Sequence, residues 1–274
     1  MNYRVLIPTA GTGSRLADLT KNINKSLVGI ANKPSISHII EKFPEELVIV
    51  IALGYKGELV REYLELAYPE RKFEFVEVSP YEGEGSGLGW TILSCKEYLQ
   101  CPFIFCSCDT IVDEEIPAPD SNWMGYAQIE GSIDQYRTVQ VEGDKVLKLL
   151  EKGIKENNIY PYIGLAGIHD YKSFWQAMET GGDEAISLGE SYGLRELNNI
   201  SAYEFTWHDT GNIQALNKVR SQFYNPEGPN ILEKPTEAIW FTNDRVIKFN
   251  TDTQFISDRV KRTKVLGDFV PPII

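Results

Sequence analysis

The chain of 274 residues is 42% hydrophobic and has a formal net charge of -12, from 27 basic and 39 acidic residues. It is therefore long enough to bury an ample core in one large or two modest domains. An acidic chain repels nucleic acid and anionic membrane at long range, so we expect it to bind neither. A polyanion bound by such a chain would need a local pocket and a metal ion.

The four cysteines lie in one short apolar region, at positions 95, 101, 106 and 108, and form no Cys-x-x-Cys pair. This pattern is typical of small buried residues in a reducing compartment. The first residues do not resemble a signal peptide, and no apolar run approaches the ~20 residues that a membrane span needs. We therefore expect a soluble, cytoplasmic protein.

Apolar strands and amphipathic helices alternate in the N-terminal half. Strands are predicted at residues 3–9, 47–53, 72–78 and 102–108, and helices from about Ser35 to Phe43, at 56–67 and from Gly89 to about Leu99. This alternation predicts an α/β fold with a doubly wound, mostly parallel, Rossmann-like sheet. Ligands of such sheets bind at the carboxyl ends of the strands.

Shorter and partly antiparallel strands are predicted after Met124, with helices at 170–179, 184–197 and 212–222. We interpret residues 1–224 as one α/β domain with a mixed second half.

Proline and glycine at 225–229 predict a linker. The segment 230–274 then predicts a β-hairpin, with Asn243 and Asp244 at its turn, and a basic helix around 257–266. A hairpin and one helix bury little surface by themselves. This segment therefore either packs on the main domain or begins a larger one.

Leu6-Ile-Pro-Thr-Ala-Gly-Thr-Gly-Ser-Arg15 leads from a buried strand into a glycine loop. Arg15 supplies a forked cation, and Lys25 a second, mobile one. The loop lacks the third glycine of a dinucleotide fingerprint and the Gly-Lys-Ser/Thr of a P-loop. Little side chain shields its backbone N–H groups, which can close on a polyphosphate at Ala10, Gly11, Thr12, Gly13 and Ser14.

A second glycine loop, Glu82-Gly-Glu-Gly-Ser-Gly-Leu-Gly89, follows another predicted strand, and Asp109 and Asp209 each end a strand. Because these strand ends share one edge of the sheet, both aspartates can converge on one divalent cation. Each also has a structural interpretation, Asp109 as a helix-capping residue and Asp209 as a turn residue.

Three segments together carry a family resemblance: Ala10-Gly-Thr-Gly-Ser-Arg-Leu16, Asn24-Lys25-Ser-Leu27 and Asn32-Lys33-Pro34. They resemble the opening signature of the sugar nucleotidyltransferases. That family includes the pyrophosphorylases that activate sugar 1-phosphates and bacterial phosphocholine cytidylyltransferases. Asn24 replaces the proline that the family usually has, and Cys108 replaces a glycine.

The resemblance spans residues 3 to about 220 and implies a role for each part of the site. Asp109 and Asp209 are implied to hold the metal ion, and oxygen ligands suit Mg²⁺. Arg15 is expected at the β- and γ-phosphates and Lys25 at the α-phosphate. The second loop is implied to approach the base through Gly85, Ser86 and Gly87, and the acceptor side is implied to consist of Glu151, Lys152 and Gly164.

Lys152 also lies in a stretch of alternating charge, which is typical of solvated surface. The C-terminal stretch from Ile239 to Lys248 is similar to the start of a choline-kinase-like phosphotransferase. The sequence lacks that family's catalytic lobe, so we expect no kinase activity.

The expected function is Mg²⁺-dependent transfer of a nucleotidyl group from a nucleoside triphosphate, with CTP favoured. The acceptor would be a sugar 1-phosphate or a phospho-amino-alcohol, and pyrophosphate would be released. The alternative is a non-catalytic, nucleotide-binding regulatory module. A glycosyltransferase of similar topology would need an Asp-x-Asp motif, which the sequence lacks. The oligomeric state is left open.

Overall fold

The computed structural model describes residues 3–229, 231, 234–242 and 244–273. Its strands are β1 (Arg4–Pro8), β2 (Gly29–Ile30), β3 (Lys33–Pro34), β4 (Ile49–Leu53), β5 (Phe73–Glu77), β6 (Phe103–Cys106), β7 (Thr110–Val112), β8 (Trp123–Tyr126), β9 (Thr138–Glu142), β10 (Lys145–Leu150), β11 (Ile159–Ile168), β12 (Ser201–Glu204), β13 (Trp207–Asp209), β14 (Glu237–Phe241) and β15 (Val246–Asn250). Its α-helices are α1 (Ser35–Ile40), α2 (Gly57–Ala67), α3 (Leu88–Ser94), α4 (Tyr171–Thr180), α5 (Gly182–Leu188), α6 (Glu190–Arg195), α7 (Ile213–Gln222) and α8 (Thr253–Leu266).

A nine-stranded sheet in this described part of the chain has the order β5-β4-β1-β6-β11-β8-β12-β10-β9. The first four strands are parallel, as the βα alternation predicts. β11 then runs antiparallel to β6, and the strands beyond it are mixed. The α/β prediction with a mixed second half is confirmed.

Helices cover both faces of the parallel strands, so successive residues of one strand enter different cores. In β1, Val5 and Ile7 belong to one apolar cluster with α1 and α2, and Leu6 belongs to the other. All five residues of β4 are buried, which explains its unbroken run of apolar residues.

The helix predicted at 184–197 is two helices, because Gly189 interrupts it. Gly189 has a φ of +70°, in the left-handed region that favours glycine. A methyl group at Gly189 would lie 2.9 Å from the side chain of Leu88, which begins α3. The break therefore brings the start of α6 against the second glycine loop.

The C-terminal hairpin forms as β14 and β15, although Asn243 of the predicted turn lies outside the described residues. Trp240 anchors the hairpin on the main domain. Its indole Nε1 donates to the carbonyl of Leu27 at 3.0 Å, and its ring meets Tyr63 edge to face at 5.1 Å. These contacts join the C-terminal segment to the main domain. The predicted domain boundary at residue 224 remains a prediction.

The basic helix begins earlier than predicted, at Thr253, because Asp252 caps it by accepting from the Phe255 backbone N–H at 3.0 Å. Across the described residues, no helix combines the length and the apolar character needed to cross a bilayer.

Candidate active site

A short β-ladder brings Asp109 and Asp209 together. β7 pairs antiparallel with β13, and Asp209 lies opposite Thr110. The backbone N–H and the hydroxyl of Thr210 both donate to the Asp109 carbonyl, each at 3.1 Å. A methyl group added at Gly211 would lie 3.0 Å from Oδ1 of Asp209 and 3.1 Å from Oδ2 of Asp109. The two carboxylates therefore lie close to each other beside Gly211.

The Asp109 carboxylate is held by three donors or cations. Ser107 Oγ donates to Oδ1 at 2.5 Å, Lys25 Nζ donates to Oδ2 at 3.0 Å, and Arg15 Nη2 lies 3.8 Å from Oδ2. Burial would raise the pKa of Asp109, but the charge of Lys25 and these hydrogen bonds outweigh burial and lower it to about 2. Asp109 is therefore an anion at neutral pH.

Lys25 is correspondingly locked in its charged form. Burial alone would lower the pKa of Lys25, yet the adjacent Asp109 carboxylate raises it well above its usual range. The Lys25 side chain is 19% exposed, whereas that of Arg15 is 68% exposed. Lys25 is thus a fixed cation inside the site, and Arg15 is a cation at its open side.

Asp209 has a different environment. Its Oδ1 accepts from the Gly211 backbone N–H at 2.8 Å, and its Oδ2 accepts from the Tyr136 hydroxyl at 2.9 Å. Burial raises the pKa of Asp209, the charge of Asp109 raises it further, and the two hydrogen bonds oppose the shift. A cation placed between the carboxylates would relieve this repulsion.

The donor set fits a magnesium ion. Asp109 and Asp209 offer oxygen atoms alone, which Mg²⁺ prefers, and their carboxylates lie close together beside Gly211. Among the described residues, no cluster of three or more His, Cys, Asp or Glu side chains could hold a metal. Mg²⁺ typically keeps waters and takes further ligands from substrate phosphates, so two protein carboxylates suffice.

The first glycine loop lies beside Lys25. Gly13 has a φ of +68°, and a methyl group there would lie 2.8 Å from the Lys25 Cβ. The close approach therefore needs glycine. Within the described residues, the backbone N–H groups of Gly11, Thr12 and Gly13 donate no hydrogen bond. Those donors are available to an anion, as the loop composition predicts.

Asn24, which replaces the family's proline, ties the Lys25 turn to the loop. It is fully buried, and its Nδ2 donates to the carbonyls of Thr9 at 2.8 Å and Tyr55 at 2.6 Å. Its Oδ1 accepts from the Ser26 backbone N–H at 2.9 Å. The amide therefore holds the turn that carries Lys25.

Gly54 packs between Ala10 of the first glycine loop and Tyr81, the residue before the second loop. A methyl group at Gly54 would lie 2.6 Å from the Ala10 carbonyl and 2.7 Å from the Tyr81 Cβ. Gly85, in the loop itself, has a φ of +79°, and the Ser86 hydroxyl donates to the Gly83 carbonyl at 2.6 Å. Gly87 packs on α5, where a methyl group would lie 2.7 Å from the Ile186 carbonyl.

Gly164 lies directly behind Asp109. It interrupts the register of β11 with a φ of +70°, and its carbonyl accepts from the Ser107 backbone N–H at 2.8 Å. A methyl group there would lie 2.9 Å from the Ser107 Cβ. Gly164 therefore positions the residue that donates to Asp109.

Glu151 and Lys152 have different surroundings. Glu151 pairs with Arg137 at 3.3 Å and with Arg195 through a very short contact. Burial raises the pKa of Glu151, but these two arginines outweigh it and lower the pKa. Lys152 is exposed, and no hydrogen bond or ion pair connects it to another residue in the described part of the chain. The structure does not bring Lys152 to the aspartates.

Sequence reasoning missed several residues that shape the site. Ser107 and Tyr136 each donate to an aspartate, and Arg137 and Arg195 bind Glu151. Ser107 stands two residues before Asp109, so a strand-end serine beside a carboxylate was a usable signal. The other three come from distant elements, and no spacing in the sequence points to them.

Several curated relatives of this chain share one name. A protein named "Bifunctional protein GlmU" from Methanocaldococcus jannaschii is 36% identical over 113 residues, 40% of this chain and 26% of the relative. A GlmU from Methanococcus maripaludis strain C5 is 25% identical over 261 residues, 89% of this chain and 60% of the relative. The chain thus spans less than two thirds of the length of these relatives. No family model matches it.

Solved structures share the fold over most of the chain. A UDP-glucose pyrophosphorylase complexed with UDP-glucose has a TM-score of 0.68 at 20% identity, covering 82% of this chain and 99% of the other. The CTP:phosphocholine cytidylyltransferase from Streptococcus pneumoniae has a TM-score of 0.61 at 18% identity, covering 82% and 100%. At these identities the likeness establishes the fold alone.

Proposed function

We propose that the chain is a member of the sugar-nucleotidyltransferase family and that it transfers a nucleotidyl group. The donor is a nucleoside triphosphate and the acceptor is a phosphorylated small molecule. The products are a nucleoside-diphosphate-linked compound and pyrophosphate.

One observation carries the proposal: two neighbouring carboxylates lie next to two cations and a loop whose N–H groups donate no hydrogen bond. Lys25 and Arg15 both approach Asp109, and Gly13 lies against Lys25. A nucleotide triphosphate needs backbone donors and cations around its phosphates. The acceptor is a second anion, so the site must neutralise and align both before they react.

Each residue of the site has a role that follows from its position. The N–H groups of Gly11, Thr12 and Gly13 bind the triphosphate, and exposed Arg15 takes its β- and γ-phosphates. Lys25, fixed at 3.0 Å from Asp109, stabilises the charge that develops at the α-phosphate. Asp109 and Asp209 would hold Mg²⁺, which when bound neutralises phosphate charge and polarises the α-phosphorus.

The chemical step balances without a general base. An oxygen of the acceptor phosphate, already ionised near neutral pH, attacks the α-phosphorus, and the bond from that phosphorus to the bridging oxygen of the β-phosphate breaks. Pyrophosphate leaves beside Arg15, whose guanidinium matches its charge.

Two substrate pairs have the best support. The GlmU relatives and the UDP-glucose complex point to a sugar 1-phosphate as acceptor. The cytidylyltransferase likeness and the choline-kinase-like C-terminal stretch point to CTP with a phospho-amino-alcohol. We propose both acceptor classes for testing, with CTP as the first nucleotide.

Pyrophosphate release across the four nucleoside triphosphates, with pooled phosphorylated acceptors and Mg²⁺, tests the function. We expect release with at least one pair and a loss of at least about a hundredfold in Asp109→Asn and Asp209→Asn. Asp120→Asn, at an exposed carboxylate, is the matched control. If both site variants stay within a few-fold of the parent, the mechanism is wrong. Nucleotide binding without release from any pair would instead favour the regulatory module.

A further inference from the structure

A group of buried polar atoms without partners lies behind the acceptor side of the site. Among the described residues, Oε2 of Glu190, Oη of Tyr162, Oγ1 of Thr138 and Nε of Arg195 are buried and make no hydrogen bond. Two backbone contacts bring the strand residues together: Pro161 pairs with Thr138, and the Tyr162 N–H donates to the Arg137 carbonyl at 2.9 Å. Glu190 and Arg195 are the first and last residues of α6.

Glu190 is the most unusual member of the group. The residue is only 5% exposed, yet no other side chain binds its Oε2. Burial raises the pKa of its carboxyl to about 7, the charge of Arg137 opposes this shift, and Asp109 adds to it. Glu190 is therefore within electrostatic reach of both Arg137 and the proposed metal ligand Asp109.

Tyr162 is the neighbour of Glu190 in this group. The residue is 6% exposed, and burial raises the pKa of its hydroxyl, with the negative charge of Glu190 as the next contribution. Tyr162 lies on β11, the strand that also carries Gly164. Tyr162 therefore lies on the strand that supports Asp109, and Glu190 begins the helix whose last residue, Arg195, binds Glu151.

Such groups are costly to bury. A buried donor or acceptor without a partner loses its hydration and gains nothing in return. The Arg137–Glu151–Arg195 cluster has one more positive than negative charge, whereas Glu190 is an acceptor when ionised. The positive cluster is therefore suited to a phosphate, and Glu190 is suited to a hydrogen-bond donor.

We propose that Glu190, assisted by the Tyr162 hydroxyl, selects the acceptor by accepting a hydrogen bond from an O–H or N–H group at its non-phosphate end. The proposal rests on the proposed function, because it assigns the other end of the same acceptor. It favours a sugar hydroxyl or a primary ammonium over a quaternary ammonium, which has no proton to donate.

The test compares Glu190→Leu, which removes the hydrogen-bond acceptor, with Glu190→Gln, which removes the charge and keeps an acceptor oxygen. Glucose 1-phosphate, phosphoethanolamine and phosphocholine supply a hydroxyl, a primary ammonium and no donor. Calorimetry with each compound, in the presence of a non-hydrolysable nucleotide, measures binding separately from turnover. Glu196→Gln, at an exposed position after the same helix, is the matched control.

We expect Glu190→Leu to weaken binding of the preferred donor-bearing acceptor by about tenfold or more, with nucleotide affinity unchanged. Glu190→Gln should weaken an ammonium acceptor more than a hydroxyl acceptor. Equal binding by parent and Glu190→Leu, or strongest binding of phosphocholine, would overturn the proposal. A parent that binds these acceptors through Glu190 but releases no pyrophosphate would contradict the proposed function alone. If the parent binds none of the three but releases pyrophosphate with another acceptor, the proposal for Glu190 fails and the proposed function stands.

The variant Tyr162→Phe provides a second test of the proposal in case Glu190→Leu does not fold. Because the hydroxyl is buried and unpartnered in the free protein, its removal should leave the melting temperature unchanged or raise it. The same change should weaken binding of the donor-bearing acceptor several-fold. If the hydroxyl had only a structural role, Tyr162→Phe would lower the melting temperature and the acceptor affinity together. That result would remove Tyr162 from the proposal.

Discussion

At the scale of single residues, the Lys25–Asp109 pair determines the charge of the site. The two side chains are 19% and 17% exposed and lie 3.0 Å apart, so each compensates the other's loss of hydration. Removing one partner leaves a mostly buried charge alone, which costs more than the pair contributes.

We therefore predict that Lys25→Met lowers the free energy of unfolding by about 2 kcal/mol at pH 7. The Asp109 carboxylate loses its closest donor, and Arg15 at 3.8 Å replaces it only in part. Urea denaturation of the free protein measures the change, with Lys21→Met, at an exposed lysine, as control. An unchanged midpoint for Lys25→Met would show that water already compensates Asp109.

Glu190 predicts a pH-dependent stability. The pKa of its carboxyl rises from an ordinary 4.5 to about 7 on folding, so the folded state holds the proton more tightly than the unfolded state. Its contribution therefore declines as the pH rises from 4.5 to 7 and stays constant above that range. Glu190→Gln should gain stability relative to the parent over this interval, by on the order of 3 kcal/mol.

Denaturation of both proteins at pH 4.5, 6 and 8 measures the difference. The comparison cancels the groups that titrate in both proteins. Glu196→Gln should show no such trend, because its carboxylate is exposed. A constant difference between Glu190→Gln and the parent would place the Glu190 carboxyl in water.

At the scale of secondary-structure elements, the bulge at Gly164 connects β11 to the Asp109 turn. Gly153 has a similar backbone, with a φ of +79°, but a methyl group there would meet nothing within 4 Å. Comparing alanine substitutions at the two glycines therefore separates the effect of backbone strain from the effect of steric contact.

We predict that Gly164→Ala and Gly153→Ala each cost about 1 kcal/mol of stability through their positive φ. Only Gly164→Ala should also lower turnover, by about tenfold or more, because its methyl group displaces Ser107 from Asp109. Melting temperatures and pyrophosphate release under one set of conditions make the comparison. Equal turnover in both variants would mean that Ser107 does not position the carboxylate.

The order of the secondary-structure elements explains which residues of the site could be predicted from the sequence. Arg15 and Lys25 follow β1, and Asp109 follows its parallel neighbour β6, so the rule that carboxyl ends of parallel strands share an edge brings these three together. Asp209 instead reaches Asp109 through the antiparallel ladder of β7 and β13, which that rule does not predict. Tyr136 and Glu190 could not be found this way. Tyr136 reaches Asp209 from 73 residues away, and Glu190 depends on a break at Gly189 inside an apparently continuous helical pattern. Long-range side-chain contacts leave no local periodicity.

At the scale of the whole molecule, the C-terminal hairpin supports the nucleotide side. Trp240 is 4% exposed and binds the carbonyl of Leu27, two residues after Lys25. In contrast, α8 has no buried residue and Phe269 is 91% exposed.

We predict that Trp240→Ala destabilises the protein by about 3 kcal/mol. It should also raise the KM for the nucleotide, because the turn that carries Lys25 loses its support. Phe269→Ala should change neither quantity, which makes it a matched aromatic control. Thermal melts and initial rates measure both effects. If Trp240→Ala behaves like Phe269→Ala, the hairpin is an independent appendage.

The ladder between β7 and β13 has a consequence for how such a protein can change its substrate. The two hydrogen bonds from Thr210 to the Asp109 carbonyl close a loop of the chain between these residues. Glu151, Lys152 and Gly164, the predicted acceptor side, all lie within that loop. Because the ladder sets the spacing of the aspartates, the sequence enclosed between them can change without changing that spacing. Insertions or replacements there that spare Tyr136 and Gly164 can alter the acceptor while the chemistry of transfer stays in place.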